Sequence, residues 1–178
     1  MNNIALDKKL MFKALKEAKR GIPYVYPNPA VGCVIYDGSK ILSTGYHKNF
    51  GENHAEHEAI KNLDEMVKGL TMYVSLEPCT HTGKTGACLD LIDPEVFDRV
   101  VIAEKDPNSE ASGSIEKLKK SGIKVDLGLL KHEARKLNKR FYVFHEQKRP
   151  YVILKYASTL DGFIAQENGY SKWITNEK

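Results

Sequence analysis

An α/β layered fold is predicted for this chain, with a mixed central sheet flanked by helices. Three observations carry that expectation. A hairpin signal, "VGCVIYDGSKILSTGY", sets two apolar runs around Asp37-Gly38. "TMYVSL" alternates, with Met72, Val74 and Leu76 on one face. From there onward strand-like and helix-like stretches take turns, which favours parallel later strands after an antiparallel opening hairpin.

The elements follow in order. Leu10, Met11, Ala14, Leu15 and Ala18 form a helical stripe, with Asp7 as the expected N-cap and Gly21 beyond the end. "YVYPNPAVG" holds two prolines and an asparagine and reads as an irregular loop. After the hairpin, Ala55, Ala59, Ile60 and Leu63 recur at helical spacing. "TMYVSL" runs into the glycine-containing loop "EPCTHTGKTGAC", and "CLDLI" then reads as helical, limited by Pro94. "RVVIAEKDPN" is a buried strand ending in a polar loop. "SIEKLKKSG" is a short helix closed by Gly122, "IKVDLGLL" a short strand, and "HEARKLNKRFYVFHEQ" one further helix. No internal repeat or low-complexity segment is visible.

The character changes near Arg149-Pro150. "RPYVILKYASTLDGFIAQENGYSKWITNEK" opens on an apolar run and holds the single tryptophan, Trp173. About 30 residues cannot bury a core of their own. An appended strand, or the start of a second domain, is expected there.

Composition narrows the function. Hydrophobic residues at 42% and charged residues at 28% describe a globular, soluble chain rather than a disordered one. A net charge of +4 permits an anionic ligand without requiring nucleic acid. No apolar run approaches the ~18 residues of a membrane span. Asp7, Lys8 and Lys9 interrupt any signal-peptide core, so a cytoplasmic location is expected. Three cysteines, an odd number, argue against a secreted disulfide framework and leave metal or nucleophile roles open.

The chemistry concentrates in "ENHAEHEAIKNLDE". His54 and Glu58 stand four apart, yet the metalloprotease pattern H-E-x-x-H is absent. Alone, His54 is an ordinary polar residue at a helix start. Partners exist, however. Cys79 follows Pro78 directly after a strand, and Cys88 lies nine residues further on. One imidazole and two thiolates balance a divalent zinc and leave its fourth position open. Cys33 is the alternative thiol, but inside an apolar strand it reads better as a small buried hydrophobe. Glu56 then has a task, because zinc deaminases pair an H-x-E element with a P-C element and use a non-ligand glutamate to move protons. Two positions on a regular helix diverge by ~200°, so His54 and Glu56 converge only in a helix's first turn.

These residues resemble the riboflavin-biosynthesis pyrimidine deaminases, the N-terminal half of a bifunctional deaminase/reductase within the cytidine-deaminase-like superfamily. The resemblance covers residues 7–147 and rests on "NPAVGCVI", "HAE", "LEPCTHTGKTGAC" and "DPN". The long interval between the cysteines is its specific part, since related deaminases place two or three residues there. Gly86-Ala87 stands where that family usually has paired prolines. "RPYVILKYASTLDG" and "SKWIT" resemble the opening of the family's reductase half, which uses NADPH.

The resemblance implies a three-layer cytidine-deaminase-like fold over residues 1–147, with 148–178 as the truncated start of a reductase domain. It implies one zinc per chain on His54, Cys79 and Cys88, with Glu56 as the catalytic acid–base. The implied substrate is a diaminopyrimidinone bearing a phosphoribosylamino group, from which hydrolysis releases ammonia. Lys84 matches the phosphate-contacting position, and Asn28, His47, His81, Asp106 and Asn108 match other substrate contacts. No cofactor-binding residue is expected, because NADPH belongs to the full-length family and a G-x-G-x-x-G motif is missing. A homo-oligomer is expected, with neither nucleic acid nor membrane as a partner. His57, His132 and His145 read as surface or helix residues. Three rivals stand beside this reading: a deaminase of another base or nucleotide, such as cytosine, guanine or tRNA adenosine; a non-catalytic zinc module closed by Cys33 or His57; and an inactive regulatory or assembly domain.

Overall fold

The computed structural model describes residues 3–65, 67–81 and 86–171. Helix α1 (Ile4–Lys19) leads into the hairpin β1 (Gly32–Tyr36) and β2 (Ile41–Tyr46). Then come α2 (Ala55–Lys61), β3 (Leu70–Val74), a 3₁₀ turn (Cys88–Leu91), β4 (Phe97–Ile102), α3 (Ser114–Lys120), β5 (Lys124–Leu127), α4 (Lys131–Leu137) and α5 (Lys139–Gln147). The sheet order is β2-β1-β3-β4-β5. β1 runs antiparallel to both β2 and β3, whereas β3, β4 and β5 are parallel. The expected mixed sheet is therefore formed.

Period-2 alternation explains the layers. Cys33, Ile35, Met72, Val74, Val100 and Ile102 face Ala55 and Ala59 of α2 and Ile115 and Leu118 of α3. Val34, Tyr73 and Val101 face Leu10, Met11 and Ala14 of α1 and Ala134 of α4. Two glycines set how closely the helices approach. A Cβ at Gly32 would lie 2.1 Å from the Ala14 carbonyl oxygen. One at Gly45 would lie 2.2 Å from that of Ala55 and 2.4 Å from the Ala59 nitrogen. Only glycine lets α1 and α2 lie this near the sheet.

Four expectations are corrected. Asn3, not Asp7, caps α1, its side chain accepting from the Leu6 N–H at 3.3 Å. Asp7 is instead buried and ion-paired with Arg99 at 2.8 Å, while the Tyr73 hydroxyl donates to it at 2.6 Å. "CLDLI" makes a 3₁₀ turn rather than an α-helix. The single helix expected over 132–147 is two helices broken at Asn138, whose side chain is used elsewhere. The apolar run after Pro150 forms no strand: Tyr151–Leu154 are solvent-exposed, with no neighbouring strand among the described residues. Trp173 lies outside the described residues.

Topology gathers the loops. Because β1 is antiparallel to β3 and β2 to β1, the entry to β1, the exit of β2 and the exits of β3 and β4 all open on one edge. Crevices at the carboxyl ends of parallel strands are where α/β sheets place their ligands.

Candidate metal centre and active site

His54 sits at the N-cap of α2 with extended backbone, φ −73° and ψ 165°. It therefore escapes the helical periodicity, and Glu56 in the first turn can share its side of the pocket. The convergence that a regular helix forbids is achieved at the helix's end, as the sequence requires.

Across from it, Cys79 follows β3 and Cys88 opens the 3₁₀ turn. The His54 Nδ1 lies 3.2 Å from the Cys88 Sγ and 3.4 Å from the Cys79 Sγ. The donor atoms of all three lie within 4.8 Å of one another. Tetrahedral zinc with ordinary Zn–S and Zn–N bonds holds such donors about 3.5 Å apart. Both the chemistry and the spacing of the donor set thus fit zinc. Among the described residues this is the one His/Cys/Asp/Glu group so assembled, and neither Cys33 nor His57 joins it. Cys33 is fully buried in the sheet core, and burial pushes its thiol well up. The Cys79 thiol is held down by hydrogen bonding from Cys88 and His54, the state a metal ligand needs. Glu58 has another engagement, pairing with Lys48 at 2.5 Å and accepting from Asn53 at 3.0 Å.

Glu56 is 3% exposed and lines the same pocket. Burial raises its carboxyl, partly offset by the nearby His54. The pocket has a volume of about 740 Å³. Asn28, His47, His81, Asp106 and Asn108 all line it. Lys84 lies outside the described residues. His47 is 2% exposed, and burial lowers its pKa. Its Nδ1 lies 3.0 Å from the Asn53 carbonyl and its Nε2 3.4 Å from the Asn28 Nδ2. A neutral ring that donates from Nδ1 and accepts at Nε2 satisfies both. Burial lifts Asp106 to about 6, against an N–H bond from Asn108.

Several pocket residues escaped the sequence reading. Glu77 is 4% exposed. Its carboxylate accepts from the N–H groups of Asp106 at 3.2 Å and Gly113 at 2.8 Å, and from the Ser114 hydroxyl at 3.3 Å. It thereby ties the loop after β4 to the cysteine motif; its place beside Pro78-Cys79 was the available signal. Arg140, Phe141, Phe144 and His145 of α5 form part of the pocket wall. No local pattern announced it, and His145 is a pocket residue rather than a plain helix residue.

Comparison with known proteins agrees with this geometry. The cytidine and deoxycytidylate deaminase zinc-binding region matches residues 4–104, and the RibD C-terminal domain matches 150–178. The chain is 47% identical over 97% of its length to the riboflavin biosynthesis protein RibD of Aquifex aeolicus, of which it covers 49%. It is 44% identical to the diaminohydroxyphosphoribosylamino-pyrimidine deaminase of Buchnera aphidicola (subspecies Schizaphis graminum), over 76% of this chain and 93% of that protein. The crystal structure of the Thermotoga maritima diaminohydroxyphosphoribosylaminopyrimidine deaminase/5-amino-6-(5-phosphoribosylamino)uracil reductase superposes with a TM-score of 0.93. That match has 43% identity and covers 98% of this chain and 51% of that one. The chain therefore spans about half the length of the bifunctional relatives it matches. With its zinc-binding region, donor triad and fold in agreement, the chain belongs to the cytidine and deoxycytidylate deaminase zinc-binding family, in its riboflavin-biosynthesis branch.

Proposed function

We propose that this chain catalyses the zinc-dependent hydrolytic deamination of 2,5-diamino-6-(5-phosphoribosylamino)pyrimidin-4-one. The products are 5-amino-6-(5-phosphoribosylamino)uracil and ammonia, a step in riboflavin biosynthesis. The observation that carries the proposal is the three-donor site beside a buried carboxyl, opening on a pocket of about 740 Å³. His54, Cys79 and Cys88 would hold the zinc. When bound there it supplies a Lewis acid that makes water a competent nucleophile near neutral pH. Glu56, held in the first turn of α2, takes the proton of the attacking water on a carboxylate oxygen. It returns protons to the ring nitrogen and to the departing amine, so that a carbonyl replaces the amine and ammonia leaves. Burial keeps this carboxyl away from bulk water, so the proton it takes stays available for return.

Asn28, His47, His81, Lys84, Asp106 and Asn108 are the proposed substrate contacts. A neutral His47, fixed by the Asn53 carbonyl, presents Asn28 to the pocket. Residues 1–147 are proposed as the deaminase domain and 148–178 as the start of a reductase domain, in line with the match at 150–178. Among the described residues no helix is long and apolar enough to cross a membrane. A cytoplasmic setting is proposed because all three cysteines are free thiols. The proposed partners are the phosphorylated pyrimidine and a second copy of this chain.

The deciding experiment is Glu56→Gln, assayed by ammonia release from the phosphoribosylaminopyrimidine alongside cytidine, cytosine and guanine. Zinc is expected to stay at about one per chain while turnover falls by ~10²–10⁴-fold. Unchanged turnover removes the acid–base assignment. Faster turnover of one of the other bases reassigns the substrate. A closed structural zinc module is disfavoured because no fourth His, Cys, Asp or Glu donor joins the triad among the described residues.

A further inference from the structure

Asn138 joins two walls of the pocket from behind. It lies between α4 and α5, is 7% exposed, and points at Ala30, itself 2% exposed. The Ala30 N–H donates to the Asn138 Oδ1 at 2.8 Å, and the Asn138 Nδ2 donates to the Ala30 carbonyl at 2.9 Å. The partners are 108 residues apart in sequence.

The reason for this arrangement is visible in the edge of β1. Along a strand, alternate residues send both N–H and C=O to the same side. At Gly32 that side meets Ser75: the Gly32 N–H donates to its hydroxyl at 3.1 Å and the Ser75 N–H to the Gly32 carbonyl at 3.1 Å. Two residues earlier, past the end of β3, the Asn138 carboxamide takes over the edge. An amide carries one acceptor and a donor group in the geometry of a peptide. The other side of this segment is bound too, the Val31 carbonyl accepting from the His47 N–H at 3.0 Å.

We propose that Asn138 is a positioning residue for the deamination, acting through Asn28. Its clasp fixes the segment 28–31 and brings α5 against it. One arm of the clasp runs from Ala30 to Asn28 and on to the His47 Nε2 at 3.4 Å. The other begins α5, whose Tyr142 N–H donates to the Asn138 carbonyl at 3.1 Å. Arg140, the second residue of α5, sits 6.0 Å over the Tyr26 ring across the same seam. Phe141 and Phe144 follow as pocket wall. The deletion of one carboxamide therefore loosens a substrate contact and the α5 part of the pocket wall together, without touching a ligand. This assignment rests on the deaminase reading.

The test uses Asn138→Ala and the milder Asn138→Asp, which keeps an acceptor for the Ala30 N–H and loses the donor. Both are measured alone and combined with Asn28→Ala. Zinc content is expected to stay at about one per chain while kcat/KM falls by about 10–100-fold, mostly through KM. In the Asn28→Ala background the further fall should be less than about threefold, because residues acting through one another are not additive. Amide hydrogen exchange should quicken in 28–32 and 139–147 together. A lower melting temperature with unchanged KM and kcat overturns the proposal in favour of a purely structural clasp. An undiminished effect in the Asn28→Ala background overturns the route through Asn28. If the wild-type chain does not turn the substrate over, the deaminase reading fails. The exchange data then decide separately, and quickening in only one of the two segments overturns the clasp.

Discussion

Replacing Gly45 with alanine adds a single methyl group, yet it is expected to disable the metal site. The new Cβ would stand 2.2 Å from the Ala55 carbonyl oxygen and 2.4 Å from the Ala59 nitrogen. Both are backbone atoms of α2, so no side chain can rotate away. Ordinary contact begins at 3.4 Å, and the helix must withdraw from β2 by about 1 Å. His54 caps that helix, and zinc tolerates donor displacements of only about 0.2 Å. Overpacking of this kind costs about 1–3 kcal/mol, which in a chain of this size lowers the melting temperature by about 2–12 °C. The assay is thermal unfolding with and without a chelator, together with zinc titration of the refolded protein. The variant should bind zinc at least tenfold more weakly and show a smaller chelator-induced shift than the wild-type chain. Wild-type zinc affinity and melting temperature in Gly45→Ala would show that α2 is not held where its contacts imply.

Further outcomes follow from buried groups. The Asp7 carboxyl is held below the usual carboxylate range by hydrogen bonds from Arg99, so its stabilisation is present above an ordinary pKa of about 3.9 and lost as pH falls through its lower folded value. Asp7→Asn should cost about 1–3 kcal/mol at pH 7 by urea unfolding, because Arg99 keeps its pair with Asp126 at 2.6 Å, and the deficit should narrow below pH 4; a pH-independent deficit would contradict the ion-pair account. Cys33→Ala should retain one zinc per chain by metal analysis, whereas Cys79→Ala or Cys88→Ala should abolish tight binding; zinc loss from the Cys33 variant would redraw the donor set. Glu77→Gln should destabilise the chain by about 1–3 kcal/mol in denaturant while leaving zinc in place, since one carboxylate serves several donors of the loop after β4; a neutral effect would mean that water substitutes freely there.

The legible part of the site was its donor chemistry. His54, Glu56, Cys79 and Cys88 are rare residue types at informative intervals, and each also sits beside a strand or helix end that periodicity located. The hairpin at Asp37-Gly38 and the strand at Met72–Val74 were readable for the same local reason. Asp7 misled because an acid before an apolar stripe suits a cap as well as a buried pair. Only the placement of Arg99, 92 residues away, separates the two. The stretch 132–147 has unbroken helical composition, and its break follows from the engagement of Asn138 with Ala30.

By itself the sequence determined which atoms can bind a metal and move a proton, because those properties belong to side chains and their near neighbours. The tertiary structure alone decided what stands opposite them. The α5 wall, the carboxamide that completes the edge of β1, and the glycines that admit α1 and α2 are consequences of surfaces meeting over long chain separations. No periodicity records such meetings, because the physical constraint is shape and hydrogen-bond satisfaction between segments, not the propensity of either one.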